Sequence, residues 1–262
     1  MKSINRQVHF YGDSHMQGYE IDHDQILGRN TFREKQDLIK QFGMHQAIVL
    51  WNQKMGRATK MSVYDFAHRR LPQSYPSLLF PESRLNAWPA MSYDYLHLRL
   101  VHDYHKGLLK NYDRVFIGVA RPTRTYKLDT MGNFDYKYED LDGKAEQMTD
   151  IQYACAWTLG ARSIMDFMEK RHIEYTFIKH FDIFDRSIED VHNITIPDGA
   201  IYTNMFMDTY EEVISKAIPK GLHHFGGING FYHRNAEAHK QFSVYLKKIL
   251  LTLPRTIFGS NK

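Results

Sequence analysis

Apolar residues along this chain fall into two kinds of pattern, short continuous runs and stripes spaced three or four residues apart. Three of the runs are rich in β-branched and aromatic residues and lie at Val8–Tyr11, Arg114–Gly118 and Ile173–Ile178. The first is followed directly by a glycine, and the second ends at one. Runs of this length and composition predict buried β-strands.

The stripes predict helices between and after these strands. One stripe comprises Ala154, Trp157, Ala161, Ile164 and Met168, and another comprises Ala238, Phe242, Tyr245 and Ile249. Spacings of three and four residues place each set on one face of a helix. Thr149 or Asp150 is suited to cap the first helix, while Asn235 is the predicted cap of the second and Pro254 follows its end. A further helix is predicted over Tyr93 to Leu109.

Alternation of strands with helices predicts a parallel sheet that is covered by helices on both faces. We therefore expect a three-layer α/β/α sandwich of the flavodoxin-like type, with about five mostly parallel strands. The chain is interpreted as one domain, 1–262, with an insertion or lid around residues 21–73. The polar segment Leu128 to Gln147 is predicted to be a surface loop, and residues 183–225 carry no pattern that assigns them.

Composition narrows the classes of function. The chain has 262 residues, 43% of them hydrophobic, with a net charge of +4 and one cysteine, Cys155. The sequence has no basic stripe of the kind that binds nucleic acid. No apolar stretch approaches the roughly 18 residues of a membrane span. The first residues lack the apolar core of a signal peptide, so we expect a cytoplasmic protein. A single cysteine excludes an intramolecular disulfide.

The first strand leads into Gly12-Asp13-Ser14, which raises the question of what the serine does. A Gly-Asp-Ser turn with Ser14 capping a helix is common chemistry for these residues. The other interpretation is that the strand delivers a nucleophilic hydroxyl to the edge of the sheet, where parallel sheets bind their ligands. Gly12-Asp13-Ser14, with Gly18 four residues on, resembles the first block of the SGNH, or GDSL, hydrolase family.

The resemblance extends to the end of the chain and to its middle. His233-Arg234-Asn235, followed by His239, is similar to the family's last block and implies that His233 is the catalytic base. The stretch SYPSLLF from Ser74 and the stretch LNAWPAMSYDYL that follows it resemble the helix, strand and loop of the second block. By that resemblance the backbone N–H groups of Ser14 and Ala90 form the oxyanion hole. His239 is expected to be structural.

Two departures from the family pattern stand out. The third block of the family contains an asparagine that donates to the oxyanion, but here the corresponding stretch is Gly118-Val119-Ala120-Arg121. Arg121 or Arg124 are possible replacements for that donor. The family also has an aspartate three residues before its histidine, whereas position 230 is glycine. Asp182 and Asp185, which follow a predicted strand end, are candidates to orient His233; the alternative is a Ser–His dyad.

The resemblance implies a serine esterase that acts on an acyl ester, with an O-acetylated, carbohydrate-linked ester as a plausible substrate and no metal or organic cofactor. Two alternatives remain: a glycan- or ligand-binding protein on the same fold that has lost hydrolysis, and an acyltransferase using the same serine. Trp51 and Trp88 are candidates for stacking on a sugar. His102 and His105 share a helix face without a third ligand, so no metal site is predicted.

Overall fold

A computed structural model describes residues 6–87, 92–118, 124–128, 134–138, 150–178 and 235–252. Strands and helices alternate through most of this part of the chain. In chain order they are β1 (Val8–Gly12), α1 (Ser14–Gln17), α2 (His23–Leu27), α3 (Phe32–Phe42), α4 (Met44–Thr59), α5 (Val63–His68), α6 (Tyr75–Leu79), β2 (Arg84–Ala87), α7 (Tyr93–His105), β3 (Arg114–Gly118), β4 (Arg124–Leu128), β5 (Phe134–Tyr138), α8 (Asp150–Glu169), β6 (Glu174–Ile178) and α9 (Ala236–Thr252).

Four of the described strands form one sheet in which all neighbours are parallel. Its order is β2-β1-β3-β6. Strand β1 lies inside the sheet, so that Phe10 pairs with Leu85 on one side and with Phe116 on the other. The predicted fold class, a parallel sheet of the flavodoxin-like type, is confirmed.

Each face of the sheet packs against its own pair of helices. Side chains of a strand point alternately to the two faces, and β1 accordingly sends Tyr11 to one apolar cluster and Phe10 to the other. The Tyr11 cluster includes residues of α7 and α8, and the Phe10 cluster includes residues of α6 and α9. The arrangement is a three-layer α/β/α sandwich.

The predicted strands and helices correspond closely to the observed ones. The three apolar runs form β1, β3 and β6. The helix predicted from the stripe that starts at Ala154 spans Asp150–Glu169. Asn235 caps α9 as predicted, since its Oδ1 accepts the N–H of Ala238 at 3.0 Å. Helix α7 ends at His105, four residues before the predicted end. None of the helices in the described ranges is long and apolar enough to cross a membrane.

One predicted loop is wrong in part. Residues 134–138, inside the segment predicted to be a loop, form β5, which pairs antiparallel with β4. Antiparallel pairing with β4 gives the backbone of β5 its hydrogen bonds, so this strand forms without belonging to the parallel sheet. The aromatic residues Phe134, Tyr136 and Tyr138 alternate with polar ones, and this period of two was the overlooked strand signal. The unassigned segment 183–225 lies outside the described residues.

The insertion predicted around residues 21–73 consists largely of the four helices α2 to α5. They share a small apolar cluster built on Trp51, Met55 and Phe66. Arg69, after the last of these helices, forms an ion pair with Asp22, before the first. This bond joins the two ends of the insertion at its base. The single-domain interpretation of the whole chain stays a prediction.

A buried histidine sits near the start of β1. His9 is fully buried, and its Nε2 lies 3.0 Å from Oδ2 of Asp113. The same carboxylate accepts the backbone N–H groups of Gln7 at 3.1 Å and Lys110 at 2.8 Å. Burial lowers the pKa of the His9 imidazole, and Asp113 opposes that change only in part. The neutral ring therefore donates from Nε2 to the carboxylate.

This histidine makes stability depend on pH. In the unfolded chain His9 binds a proton near its ordinary pKa of 6.5, whereas the folded protein resists that proton. The free energy of unfolding should therefore fall as the pH drops below about 6.5, by up to about 1.4 kcal/mol for each unit by which folding lowers the pKa. Urea unfolding between pH 8 and pH 5 measures this. His9→Gln should show a shallower decline, and an equal decline would assign the effect to other groups.

Candidate active site

The exit of strand β1 is a tight turn into a single helical turn. Strand β1 ends at Gly12 and α1 begins at Ser14. A Cβ atom on Gly12 would lie 2.7 Å from Sδ and 3.0 Å from Cβ of Met16. Glycine therefore lets α1 fold back closely over the end of the strand. The carbonyl of Ser14 accepts the N–H groups of Gly18 at 2.9 Å and Tyr19 at 3.1 Å, which closes the turn.

Ser14 lies beneath the surface. Its relative exposure is 5%, and the adjacent Asp13 and the later Gln17 are also buried. The side-chain amide of Gln17 reaches the backbone carbonyl of Arg69 at 3.5 Å, which brings the end of the helical insertion against α1. Ser14 thus belongs to a buried polar region between the sheet and the insertion.

Ser14 follows β1 at the end of the sheet where folds with an open parallel sheet usually bind ligands. From β1 the chain crosses to β2 on one side, and from β2 it crosses back over β1 to β3 on the other. The strand order therefore reverses between β1 and β3, and in open parallel sheets the crevice beyond such a reversal is the usual binding place. Ser14 is the second residue after the end of β1, so it stands at that end of the sheet.

The start of α9 lies close to the same end of β1. A Cβ atom on Gly18 would lie 3.3 Å from Cβ of Ser74, just before α6. The backbone N–H of the next residue, Tyr75, donates to Nδ1 of His239 at 3.2 Å, and the two rings stack with centroids 5.7 Å apart. His239 is fully buried, and its structural role stays a prediction. The first turns of α9 are therefore connected through α6 to α1.

Only part of the predicted site falls within the described ranges. Ser14 lies at the strand end as predicted. His233, Ala90, Arg121, Asp182 and Asp185 lie outside the described residues, and Arg124 is the first residue of β4. The pairing of Ser14 with His233, the oxyanion donors and the orienting carboxylate thus stay predictions.

Sequence reasoning missed a buried carboxylate beside the ends of β1 and β2. Asp103 on α7 is fully buried. Its Oδ2 accepts the hydroxyl of Tyr11 at 2.9 Å and the amide of Asn86 at 3.2 Å. Its Oδ1 lies 3.3 Å from Nε of Arg99 and 3.2 Å from Nδ1 of His102. The signal was present, because Asp103 continues the stripe of Leu96 and Leu100 that faces the sheet.

A second group of buried polar side chains joins the insertion to α1. Glu20 and Lys35 form a fully buried ion pair of 2.6 Å, and the ammonium of Lys35 lies 5.2 Å from the ring centre of Trp51. The indole N–H of Trp51 donates to Nδ1 of His23 at 3.1 Å. Trp51 is fully buried, so it is not a platform for sugar stacking. The other candidate, Trp88, lies outside the described residues.

The described residues offer no metal centre. No group of three or more histidine, cysteine, aspartate or glutamate residues among them is arranged to hold an ion. His102, one of the two histidines considered for this role, instead contacts Asp103.

Fold and site together define a flavodoxin-like α/β/α protein with a buried serine at the reversal of its strand order. Comparison of the chain with protein-family models, with curated proteins and with solved structures found no match. The resemblance to SGNH hydrolases thus depends on the short motifs and on the position of Ser14, and the function that it implies is a proposal.

Proposed function

We propose that this protein is a serine hydrolase of the SGNH type that cleaves acyl esters, with an O-acetylated carbohydrate as the favoured substrate. Ser14 Oγ attacks the ester carbonyl while His233 accepts the hydroxyl proton. The tetrahedral intermediate collapses, and His233 gives the proton to the departing alcohol. Water, activated by the same imidazole, then releases the acid and restores Ser14.

The observation that carries this proposal is the position of Ser14. A buried hydroxyl that follows a central parallel strand, at the point where the strand order reverses, lies where this class of fold binds ligands. Ser14 is also the first residue of the short helix α1. The family resemblance assigns its backbone N–H to the oxyanion hole, where such a donor stabilises the tetrahedral intermediate.

The contacts of α9 support the role proposed for His233 as the base. His233 lies two residues before Asn235, which caps α9, and six before His239. His239 contacts Tyr75, whose neighbour Ser74 lies beside Gly18 in the turn that follows Ser14. The start of α9, which follows His233 in the sequence, therefore lies near the exit of β1, and this supports the proposed pairing of His233 with Ser14.

A binding protein on the same fold is the second candidate. The sequence lacks the family's oxyanion asparagine after Gly118 and its aspartate before His233. Loss of one oxyanion donor typically lowers kcat by about 10²–10³-fold, and loss of the orienting aspartate by about 10⁴-fold. A chain that had kept the fold and lost catalysis would show the same departures.

A fluorophosphonate probe separates these two candidates. It reacts covalently with serines that are activated by a base, so we expect one adduct on the wild-type protein, located at Ser14 by peptide mass spectrometry. Ser14→Ala should abolish the adduct. Ser62→Ala is the control, because Ser62 is an exposed helix-capping serine whose Oγ accepts the N–H of Asp65 at 3.0 Å.

Either of two results would refute the hydrolase. One is an unlabelled wild-type protein that is folded by circular dichroism. The other is labelling that persists in Ser14→Ala, since the reactive serine would then lie elsewhere. An unlabelled protein that nevertheless retains an acetylated oligosaccharide would support the binding candidate instead.

A further inference from the structure

We propose that Asp103 is a positioning residue for this reaction, which holds the ends of β1 and β2 at the spacing that the reaction requires. The inference rests on the proposed function. Asp103 belongs to neither strand. It lies on α7, which packs against the face of the sheet to which the Tyr11 side chain points. It acts through the two strand residues that it binds.

The register of the sheet places these contacts next to the site. Tyr11 and Asn86 are direct partners across β1 and β2, one step before the strands end at Gly12 and Ala87. Both donate to the same carboxylate oxygen of Asp103. Ser14 lies three residues beyond Tyr11, and Ala90 lies four residues beyond Asn86. One oxygen therefore fixes the two strands from which the proposed nucleophile and oxyanion donor extend.

The chemistry of the carboxylate makes it hard to replace. Both oxygens of Asp103 face donors, Tyr11 and Asn86 on one side and Arg99 and His102 on the other. An asparagine would have to turn its NH₂ group towards one of these pairs of donors. Burial, together with Asp103, raises the pKa of the Tyr11 phenol above its ordinary range, so Tyr11 keeps its proton and remains a donor.

Asp113 provides a matched comparison. It is also a buried carboxylate, and it also binds β1, through His9, together with the backbone N–H of Gln7 just before the strand. Its contacts lie at the start of β1, however, away from the strand ends that border the site. A residue that matters only for stability should behave like Asp113, and a positioning residue should not.

The experiment compares Tyr11→Phe, Asp103→Asn and Asp113→Asn in hydrolysis of p-nitrophenyl acetate, at a temperature where circular dichroism shows each variant folded. A displacement of about 1 Å can cost on the order of 10²-fold in rate. We therefore expect kcat to fall by about 10- to 100-fold in Tyr11→Phe and Asp103→Asn, with KM nearly unchanged. Asp113→Asn should keep kcat within about twofold of wild type. Tyr11→Phe removes one hydroxyl and keeps the ring, so it still tests the proposal if Asp103→Asn fails to fold.

The inference is overturned if Tyr11→Phe and Asp103→Asn keep the wild-type kcat, or if Asp113→Asn loses as much. A second readout does not depend on ester chemistry. In a Cys155→Ser background, Ser14→Cys supplies the only thiol, and its alkylation rate by iodoacetamide reports its surroundings. Adding Asp103→Asn should change that rate several-fold and adding Asp113→Asn should not; equal rates overturn the inference, even for a protein that proves not to be a hydrolase.

Discussion

Removal of the Ser14 hydroxyl is expected to lower kcat for ester hydrolysis by up to about 10⁶-fold, the loss seen when a serine nucleophile is deleted from a complete catalytic triad. Without Oγ no acyl-enzyme can form, and the residual rate comes from binding and from the oxyanion donors alone. Initial rates with p-nitrophenyl acetate, at matched protein concentration, measure the change from wild type to Ser14→Ala.

The double variant shows whether Ser14 and His233 act together. If His233 contributes to the rate only by activating Ser14, its loss has no further effect once Ser14 is absent. The variant Ser14→Ala/His233→Ala should therefore be no slower than Ser14→Ala. Effects of residues that act as one unit are strongly non-additive. His105→Ala is the control, because His105 is an exposed histidine at the end of α7. Multiplying losses in the double variant would mean that the two residues work independently.

The largest effect on stability is expected at the buried ion pair of the insertion. Lys35→Met leaves the carboxylate of Glu20 in a site from which water is excluded. Removal of one member of a buried pair typically costs about 3–5 kcal/mol, because the remaining buried charge has lost its ion-pair partner. Urea unfolding at neutral pH should show a loss of free energy of unfolding of that size.

Lys54→Met is the matched control. Lys54 also forms an ion pair with a glutamate, Glu34, and its ammonium also lies about 5 Å from the ring centre of Trp51, at 5.0 Å. Its side chain is 31% exposed, whereas that of Lys35 is 1% exposed. Exposed pairs contribute about 0–1 kcal/mol, so this variant should change little. Replacing both Glu20 and Lys35 by apolar residues should recover most of the loss, and failure to recover would assign the loss to packing.

Three of the four strands in the parallel sheet, β1, β3 and β6, were predictable because each carries its own local signal. The run before Gly12 and the run that ends at Gly118 are short, apolar and bounded by glycine, which is enough to define a buried strand. The insertion was harder. Helix α3 is mostly polar, so only a narrow apolar stripe marks it, and its buried residue is the charged Lys35.

The residues of the candidate site also differ in whether the sequence could predict them. Ser14 was found because Gly12, Asp13 and Ser14 are consecutive in the chain. Asp103 was overlooked because its partner Tyr11 lies 92 residues away and a single sequence does not record which distant donors surround a carboxylate. The same applies to Glu20, whose compensating Lys35 comes from a separate helix. Local periodicity predicts burial, but the pairing of buried charges depends on the tertiary fold.

The central place of β1 has a consequence for biosynthesis. His9 pairs with Arg84 and Val115, so roughly 75 residues must be translated before the first neighbouring strand exists and roughly 105 before the second. At about 5–20 residues per second, the nascent strand waits about 4–15 s for that first partner. During this interval the segment Val8–Gly12 is an unpaired apolar strand on the ribosome. Chaperones that capture short hydrophobic peptides should therefore engage the segment Val8–Gly12 before its partner strands are made.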